Sequence, residues 1–158
     1  MAKPTLYIET TIISYLTAWP SRDIIVAAHQ HLTQEWWEHY RVHYDVFVSQ
    51  LVVQEASAGD QLAGQRRLQI LSQIPSLELN EDVVRLARAL VEEGPIPERS
   101  VGDAFHIAIA TVHGLDFILT WNCTHIANAS TRNAIAGMCR SHGYEPPVIC
   151  TPEELMEG

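Results

Sequence analysis

Five short apolar segments, separated by longer stretches of helical periodicity, constrain the fold of this 158-residue chain more than any other feature. These segments lie at residues 5–9, 45–48, 76–79, 116–120 and 147–150. Buried strands that alternate with helices form a parallel sheet that is covered on both faces. We therefore predict an α/β fold, a three-layer α/β/α sandwich with a central, mainly parallel sheet, formed as a single domain by residues 1–158.

Helix boundaries are predicted from capping residues, breakers and apolar residues at three- and four-residue spacing. The expected helices cover residues 10–18, 21–43, 49–58, 60–74, 80–93, 104–112 and 124–142. Ser21 is the expected N-cap of the second helix, and Ser100 with Asp103 resembles a capping box before the sixth.

The net charge of −9 reflects ten Lys and Arg residues against nineteen Asp and Glu residues. Phosphate backbones are usually bound by basic surfaces, so broad, non-specific nucleic-acid binding is disfavoured. A nuclease that contacts its substrate through a divalent cation is still compatible, because the ion reverses the local electrostatics. The acidic surplus also suits a basic protein partner.

The sequence predicts a cytoplasmic protein with no membrane segment. Residues 1–4 lead directly into the first strand without the apolar core of a signal peptide, and no run of about eighteen apolar residues occurs. The three cysteines, Cys123, Cys139 and Cys150, are odd in number and lack zinc-ligand spacing. We interpret them as reduced thiols.

Three carboxylates are placed where strands end. Glu9 ends the first strand, Glu55 lies in the helix after the second, and Asp103 precedes the fourth. Parallel sheets bind ligands outside the carboxyl ends of their strands, so we expect all three to converge there. Mg and Mn prefer such oxygen ligands, and a bound ion can activate water and neutralise a phosphodiester. The sequence therefore predicts a Mg or Mn site.

Each carboxylate also has a structural explanation. Glu9 could be an acid stabilised by a helix N-terminus, Asp103 the acidic member of a capping box, and Glu55 a solvated helix residue. Desolvating an acid at the end of an apolar strand is costly, which favours metal binding for Glu9.

Polar side chains near these acids are candidates for orienting them or contacting substrate. They are Thr10, His106, Thr120, His125 and Asn128. His106 lies one helical turn after Asp103 and could hydrogen-bond to it or contact substrate, although a structural, buried or partly buried histidine is an equal alternative. His125 and Asn128, three residues apart, are expected on one helical face near the same edge.

Four residues of the second predicted helix form a ridge at four-residue spacing. They are His31, Glu35, His39 and His43. Two histidines at this spacing can chelate zinc. The alternative, which we favour, is a polar, solvated face opposite Leu32, Trp36 and Tyr40.

Three motifs resemble PIN domains in order and spacing over nearly the whole chain. Residues 7–16, YIETTIISYL, resemble the opening strand and helix of that family. Residues 103–110, DAFHIAIA, resemble its central acidic helix, and residues 118–128, ILTWNCTHIAN, its closing strand and loop. No Gly-rich phosphate loop supports a nucleotide-binding or regulatory α/β domain instead.

The resemblance implies a quartet of acids that holds one or two Mg or Mn ions for endoribonuclease chemistry. By position the quartet is Glu9, Glu55, Asp103 and Asn122, with Glu9 in place of the usual Asp and an amide at Asn122. It further implies a VapC-like toxin that cuts RNA, forms a homodimer and is neutralised by an antitoxin, often through an inserted Arg. The alternative within this fold is a weakened or inactive PIN domain that binds RNA or protein.

Overall fold

A computed structural model describes residues 2–156, and its centre is a five-stranded sheet in which all neighbouring strands are parallel. The strands are β1 (Thr5–Ile8), β2 (Asp45–Ser49), β3 (Ser76–Leu77), β4 (Phe117–Leu119) and β5 (Val148–Cys150). Their order across the sheet is β3-β2-β1-β4-β5. The predicted α/β sandwich with a parallel sheet is confirmed.

Two groups of helices cover this sheet. The α-helices are α1 (Thr10–Thr17), α2 (Ile24–Glu35), α3 (Gln50–Ala56), α4 (Gln61–Leu71), α5 (Glu81–Glu92), α6 (Val101–Val112) and α7 (Arg132–Ser141). Helix α1 packs against α2, α3 and α4, whereas α5 packs against α6 and α7. Right-handed crossovers change face when the chain reverses its direction across a sheet. The two groups are therefore the outer layers of the sandwich.

The strand order reverses beside β1. From β1 the chain moves outward through β2 to β3, and it then adds β4 and β5 on the other side of β1. A crevice at such a switch point is where doubly wound sheets bind their ligands. The carboxyl ends of β1 and β4, followed directly by Glu9 and Thr120, lie at this point.

The apolar faces of the elements are used in the core. Tyr7 of β1, Ile12 of α1 and Ile107 of α6 are fully buried. Complete burial of an apolar side chain of this size stabilises the fold by about 1.5–3 kcal/mol. Within residues 2–156, no helix combines the length and the apolar character needed to cross a membrane.

Side-chain caps form at the starts of α3, α4 and α5 but not at α6. The side chains of Ser49, Asp60 and Asn80 accept hydrogen bonds from the first turns of α3, α4 and α5. Ser100 makes no such bond to α6, so the predicted capping box with Asp103 does not form. Asp103 is thereby left for a different contact.

The second helix is shorter than predicted and has a different N-cap. Asp23, not Ser21, caps α2, and its carboxylate accepts a backbone hydrogen bond at 3.0 Å. After Glu35 the chain forms a π-helical turn, Trp36–Tyr40, and then a 3₁₀ turn to His43. A π turn holds more residues than an α turn, so the side chains beyond it are rotated. The prediction of one continuous helix was wrong here.

The last long helix begins at Arg132 rather than Thr124. Asn122 accepts three backbone hydrogen bonds from the residues that follow it, through its carbonyl and its side chain. Asn128 accepts a further bond from Ser130 N at 2.9 Å. Asn side chains that bind the nearby backbone compete with helix formation. These residues therefore form turns, and the predicted helical face shared by His125 and Asn128 does not exist.

Candidate metal centre

Glu9 links the end of β1 to the start of α1, where it is the N-cap residue. It is buried, with 3% of its surface exposed. Its Oε1 accepts hydrogen bonds from Thr11 N at 3.1 Å, from the Thr11 hydroxyl, and from the Thr120 hydroxyl at 2.7 Å. A buried carboxylate is costly without such partners. The acid therefore does cap a helix, and it does so at the switch point of the sheet.

Glu55 on α3 is more accessible, with 40% of its side chain exposed. Its Oε1 accepts hydrogen bonds from the Thr10 hydroxyl at 2.5 Å and from His106 Nε2 at 2.7 Å. Burial raises the pKa of the Glu55 carboxyl, but the hydrogen bond and the electrostatic attraction of His106, together with the hydrogen bond from Thr10, outweigh that cause, and the pKa is lowered. Glu55 is therefore a carboxylate at neutral pH, oriented by donors from α1 and α6.

Three side chains converge beside the switch point. Ligand atoms of Glu9, Glu55 and His106 lie within 4.8 Å of one another, close enough to share one metal ion. Within residues 2–156, no other group of three His, Cys, Asp or Glu side chains meets this condition. Two of the predicted metal ligands are thus brought together, and the third member is His106, which bonds to Glu55 and not to Asp103, the acid it was predicted to contact.

Asp103 lies in the first turn of α6 and does not join that group. Its Oδ2 is 2.9 Å from Nδ1 of His125, and 22% of each side chain is exposed. The neighbouring Gly102 approaches Glu55, since a Cβ at Gly102 would lie 3.4 Å from Glu55 Oε2. The start of α6, where Asp103 directly follows Gly102, therefore borders Glu55.

The three acids share one arrangement. Each has one oxygen bound by protein donors, namely Oε1 of Glu9, Oε1 of Glu55 and Oδ2 of Asp103. In the part of the chain that the structure describes, no donor is hydrogen-bonded to the second oxygen of any of them. A carboxylate has about four lone-pair sites, so each acid keeps capacity for a cation. Carboxylate oxygens are suitable ligands for a hard ion such as Mg or Mn.

Asn122, at the position of the fourth acid, is a turn residue. Its Oδ1 accepts a hydrogen bond from His125 N at 3.1 Å, and its own N–H donates to the Thr120 hydroxyl at 2.9 Å. Asn128 donates to two backbone carbonyls of the same loop. The loop therefore positions His125 against Asp103 and adds no carboxylate to the site.

Two residues of the site, Tyr7 and Ser49, were not among the site residues predicted from the sequence. The Tyr7 hydroxyl lies 2.7 Å from His106 Nδ1 and 2.8 Å from Ser49 Oγ, and all three residues are buried. Burial raises the pKa of the Tyr7 phenol, although the Ser49 hydrogen bond lowers it. One available signal was that Tyr7 precedes Glu9 by two residues, because alternate strand residues face the same side.

The histidine ridge of the second predicted helix does not gather a metal site. Its three histidines are exposed, and the π turn at Trp36–Tyr40 interrupts the four-residue spacing. His39 lies 4.0 Å from Glu35 and 3.9 Å from Glu38. Ion pairs between such exposed side chains contribute little to the stability of the fold. The favoured interpretation, a polar, solvated face, is confirmed by these exposures.

The fold and the acidic edge define an α/β protein with a candidate metal centre at the switch point of a parallel sheet. Sequence comparison narrows this class, because the profile of the PIN domain matches residues 6–122. The chain therefore belongs to the PIN domain family, as its motifs predicted. No curated protein matches the chain at a significant level.

Comparison of folds agrees with that assignment. A chain in the crystal structure of VapBC2 from Rickettsia felis, bound to a DNA fragment from their promoter, is similar with a TM-score of 0.59. The two chains are 12% identical, and the match covers 93% of this chain and 98% of the other. At this identity the similarity supports the fold.

Proposed function

We propose that this chain is a divalent-metal-dependent endoribonuclease of the VapC toxin type, with Glu9, Glu55 and Asp103 as ligands for Mg or Mn. The observation that carries the proposal is that each carboxylate is fixed through one oxygen, while no donor among the described residues is bonded to the other. Membership of the PIN domain family supports nuclease chemistry. Carboxylate donors suit Mg and Mn, which are commonly held by a few acids, water and substrate phosphate.

Hydroxyl and imidazole groups orient these carboxylates for binding of the ion. The orienting residues are Thr10, Thr11, Thr120, His106 and His125. Partners of this kind fix ligand direction and are worth about 10–100-fold in metal affinity or activity. A bound Mg or Mn ion supplies activated water and charge neutralisation at the scissile phosphodiester. Asn122 and Asn128 contribute by holding the loop that carries His125.

The proposed partners follow from the toxin assignment. The VapBC2 structure is described as a complex bound to promoter DNA, and the similar fold supports an antitoxin partner for this chain. A net charge of −9 suits a partner with a basic segment. An Arg of that segment, inserted at the acidic edge, would pair with the carboxylates that otherwise hold the ion. An RNA substrate, a homodimer and a cytoplasmic location complete the proposal.

A second candidate function is a binding module, a weakened or inactive PIN domain that holds RNA or protein without cutting it. The observation that favours it is Asn122, a neutral residue whose Oδ1 is already engaged by His125 N at 3.1 Å. Three acids in place of four would bind a cation more weakly, since ligand charge sets affinity for hard cations.

The deciding experiment measures Mn-dependent cleavage of an RNA panel and Mn-induced thermal stabilisation for wild type and Asp103→Asn. Asp82→Asn is the matched control, because Asp82 also lies in the first turn of a helix but pairs with Arg85 at 3.0 Å on the surface. We expect wild type and the control to cut RNA. Asp103→Asn should lose at least about 100-fold in activity, the upper end of the cost of losing an orienting partner.

The outcomes separate the two functions. Equal cleavage by wild type and Asp103→Asn would show that the site is assigned to the wrong residues. Failure of both proteins to cut any RNA, with no stabilisation by Mn, would support the binding module.

A further inference from the structure

A buried line of hydrogen bonds runs from the end of β2 through β1 to α6 and ends on Glu55. Ser49 Oγ lies 2.8 Å from the Tyr7 hydroxyl, which lies 2.7 Å from His106 Nδ1. The other ring nitrogen of His106, Nε2, lies 2.7 Å from Glu55 Oε1. Ser49, Tyr7 and His106 are all 0% exposed. The line therefore joins the shielded interior to a carboxylate of the candidate metal centre.

The direction of these hydrogen bonds follows from the protons that the His106 ring and the two hydroxyl groups carry. The Glu55 carboxylate can only accept, so Nε2 of His106 carries a proton. In a neutral imidazole Nδ1 is then an acceptor, and it accepts a hydrogen bond from the Tyr7 hydroxyl. The Tyr7 oxygen accepts in turn from Ser49, whose Oγ accepts from Val52 N at 3.4 Å. Each hydroxyl in the line then donates once and accepts once.

The opposite direction is worse on two counts. If Nδ1 donated to Tyr7, then Tyr7 would donate to Ser49, and the Ser49 proton would have no acceptor among the described residues. Leaving a buried hydroxyl unsatisfied costs free energy. In a neutral ring, the Nε2 lone pair would also face Glu55 Oε1 at 2.7 Å, where two acceptors repel each other.

We propose that Tyr7 and Ser49 are positioning residues that hold His106 as the Nε2–H tautomer, so that its ring orients Glu55 and does not bind the ion. This inference rests on the proposed function. It adds an explanation of why only oxygen atoms would coordinate the ion. His106 Nε2 belongs to the group whose atoms lie within 4.8 Å, so it is near enough to be a ligand itself. An imidazole ligand suits Zn, Cu or Ni, whereas carboxylates suit Mg and Mn. Tyr7 thus influences metal preference without touching the ion.

The tautomer can be measured in the wild-type, metal-free protein by NMR of ¹⁵N-labelled histidine rings, with His106→Gln used to assign the signals. We expect His106 to show a protonated Nε2 and an unprotonated Nδ1 at neutral pH. Adding Mg²⁺ should leave this pattern unchanged. A protonated Nδ1 would overturn the inference, and so would loss of the Nε2 proton when Mg²⁺ is added.

The role of Tyr7 can be measured as Mg²⁺ and Zn²⁺ affinity by calorimetry. Tyr7→Phe should weaken Mg²⁺ binding about 10-fold, the lower end of the effect of an orienting partner. The affinity for Zn²⁺ relative to Mg²⁺ should rise, because Nδ1 loses the donor that favours one tautomer. Tyr44→Phe is the matched control. The ring centroids of Tyr44 and Trp36 are 5.9 Å apart, and the Tyr44 hydroxyl is hydrogen-bonded to no described residue. This substitution should leave both affinities unchanged.

Combining variants shows whether Tyr7 acts through the His106 ring. In a His106→Leu background, Tyr7→Phe should cause no further loss of affinity, because coupled residues are not additive. His106→Gln, whose amide can still donate to Glu55, should retain more affinity than His106→Leu. Additive losses in variants that urea unfolding shows to be folded would overturn the inference.

The inference and the proposed function fail in different ways. Absence of Mg²⁺ and Mn²⁺ binding by wild type would contradict the proposed function. The tautomer measured in the metal-free protein would then decide by itself whether His106 is held as a donor to Glu55.

Discussion

The acidic edge of the sheet and the histidine ridge both carry groups that bind metals, yet only the edge gathers them. At the edge, Glu9 and Glu55 come from different elements and are held by donors from further elements. On the ridge, His39 and Glu35 are 4.0 Å apart with 62% and 41% of their side chains exposed. The loss of entropy on ordering two solvated side chains offsets most of the favourable free energy of their contact. At the edge, tertiary contacts fix the candidate ligands, and the regular spacing of the ridge provides no such contacts.

The largest expected effect, and the most direct challenge to this contrast, comes from Glu9→Gln. Mn affinity measured by calorimetry should fall by more than about 100-fold, because a direct ligand matters more than the orienting partners that are worth 10–100-fold. Glu35→Gln makes the same chemical change on the ridge and should leave the affinity unchanged. Similar losses in both variants would remove the distinction between the two regions.

A smaller effect is expected from Thr120→Val, which keeps the shape but removes the hydroxyl that donates to Glu9 at 2.7 Å. The change removes one donor from the buried Glu9 carboxyl and also the acceptor of the Asn122 N–H, and it should lower the free energy of unfolding by about 1–3 kcal/mol. Urea denaturation at neutral pH measures this change. Thr124→Val, at an exposed position of the next loop, should change it by less than about 0.5 kcal/mol. Equal stability of the two variants would mean that Thr120 does not support Glu9.

The smallest expected effect is the pH dependence that Glu55 adds to stability. Its pKa in the folded protein is lowered from the ordinary value of 4.5, so the unfolded chain binds this proton more readily. The stability from Glu55 is therefore fully present above that ordinary pKa and is lost as the pH falls through the folded pKa. The difference in thermal stability between wild type and Glu55→Gln should shrink on acidification. A difference that grew instead would show that the folded-state pKa is not lowered.

The positions of the strands and the meeting of Glu9 with Glu55 could be predicted from the sequence. Apolar runs that alternate with helical periods indicate a parallel sheet, and the carboxyl ends of its strands lie at one edge. The ends of α2 and the start of α7 could not be predicted. They depend on a π turn after Glu35 and on the backbone hydrogen bonds that Asn122 accepts, neither of which changes the spacing of apolar residues.

The site divides in the same way. Strand ends placed the acids, but Tyr7 carried the signal of an ordinary buried strand residue and Ser49 that of a helix cap. Both structural roles are confirmed, since Tyr7 is buried in β1 and Ser49 caps α3. Their hydroxyl groups have a second use, because they meet His106 in the interior.

The sequence by itself determined the alternation of strands and helices, and through it the PIN fold and the edge where the acids lie. Only the tertiary structure decided which donor holds each acid: Thr120 for Glu9, His106 for Glu55 and His125 for Asp103. Periodicity depends on neighbours along the chain and can be recognised locally. A hydrogen bond between two elements depends on how their backbones are placed to within fractions of an ångström, and local patterns do not contain that placement.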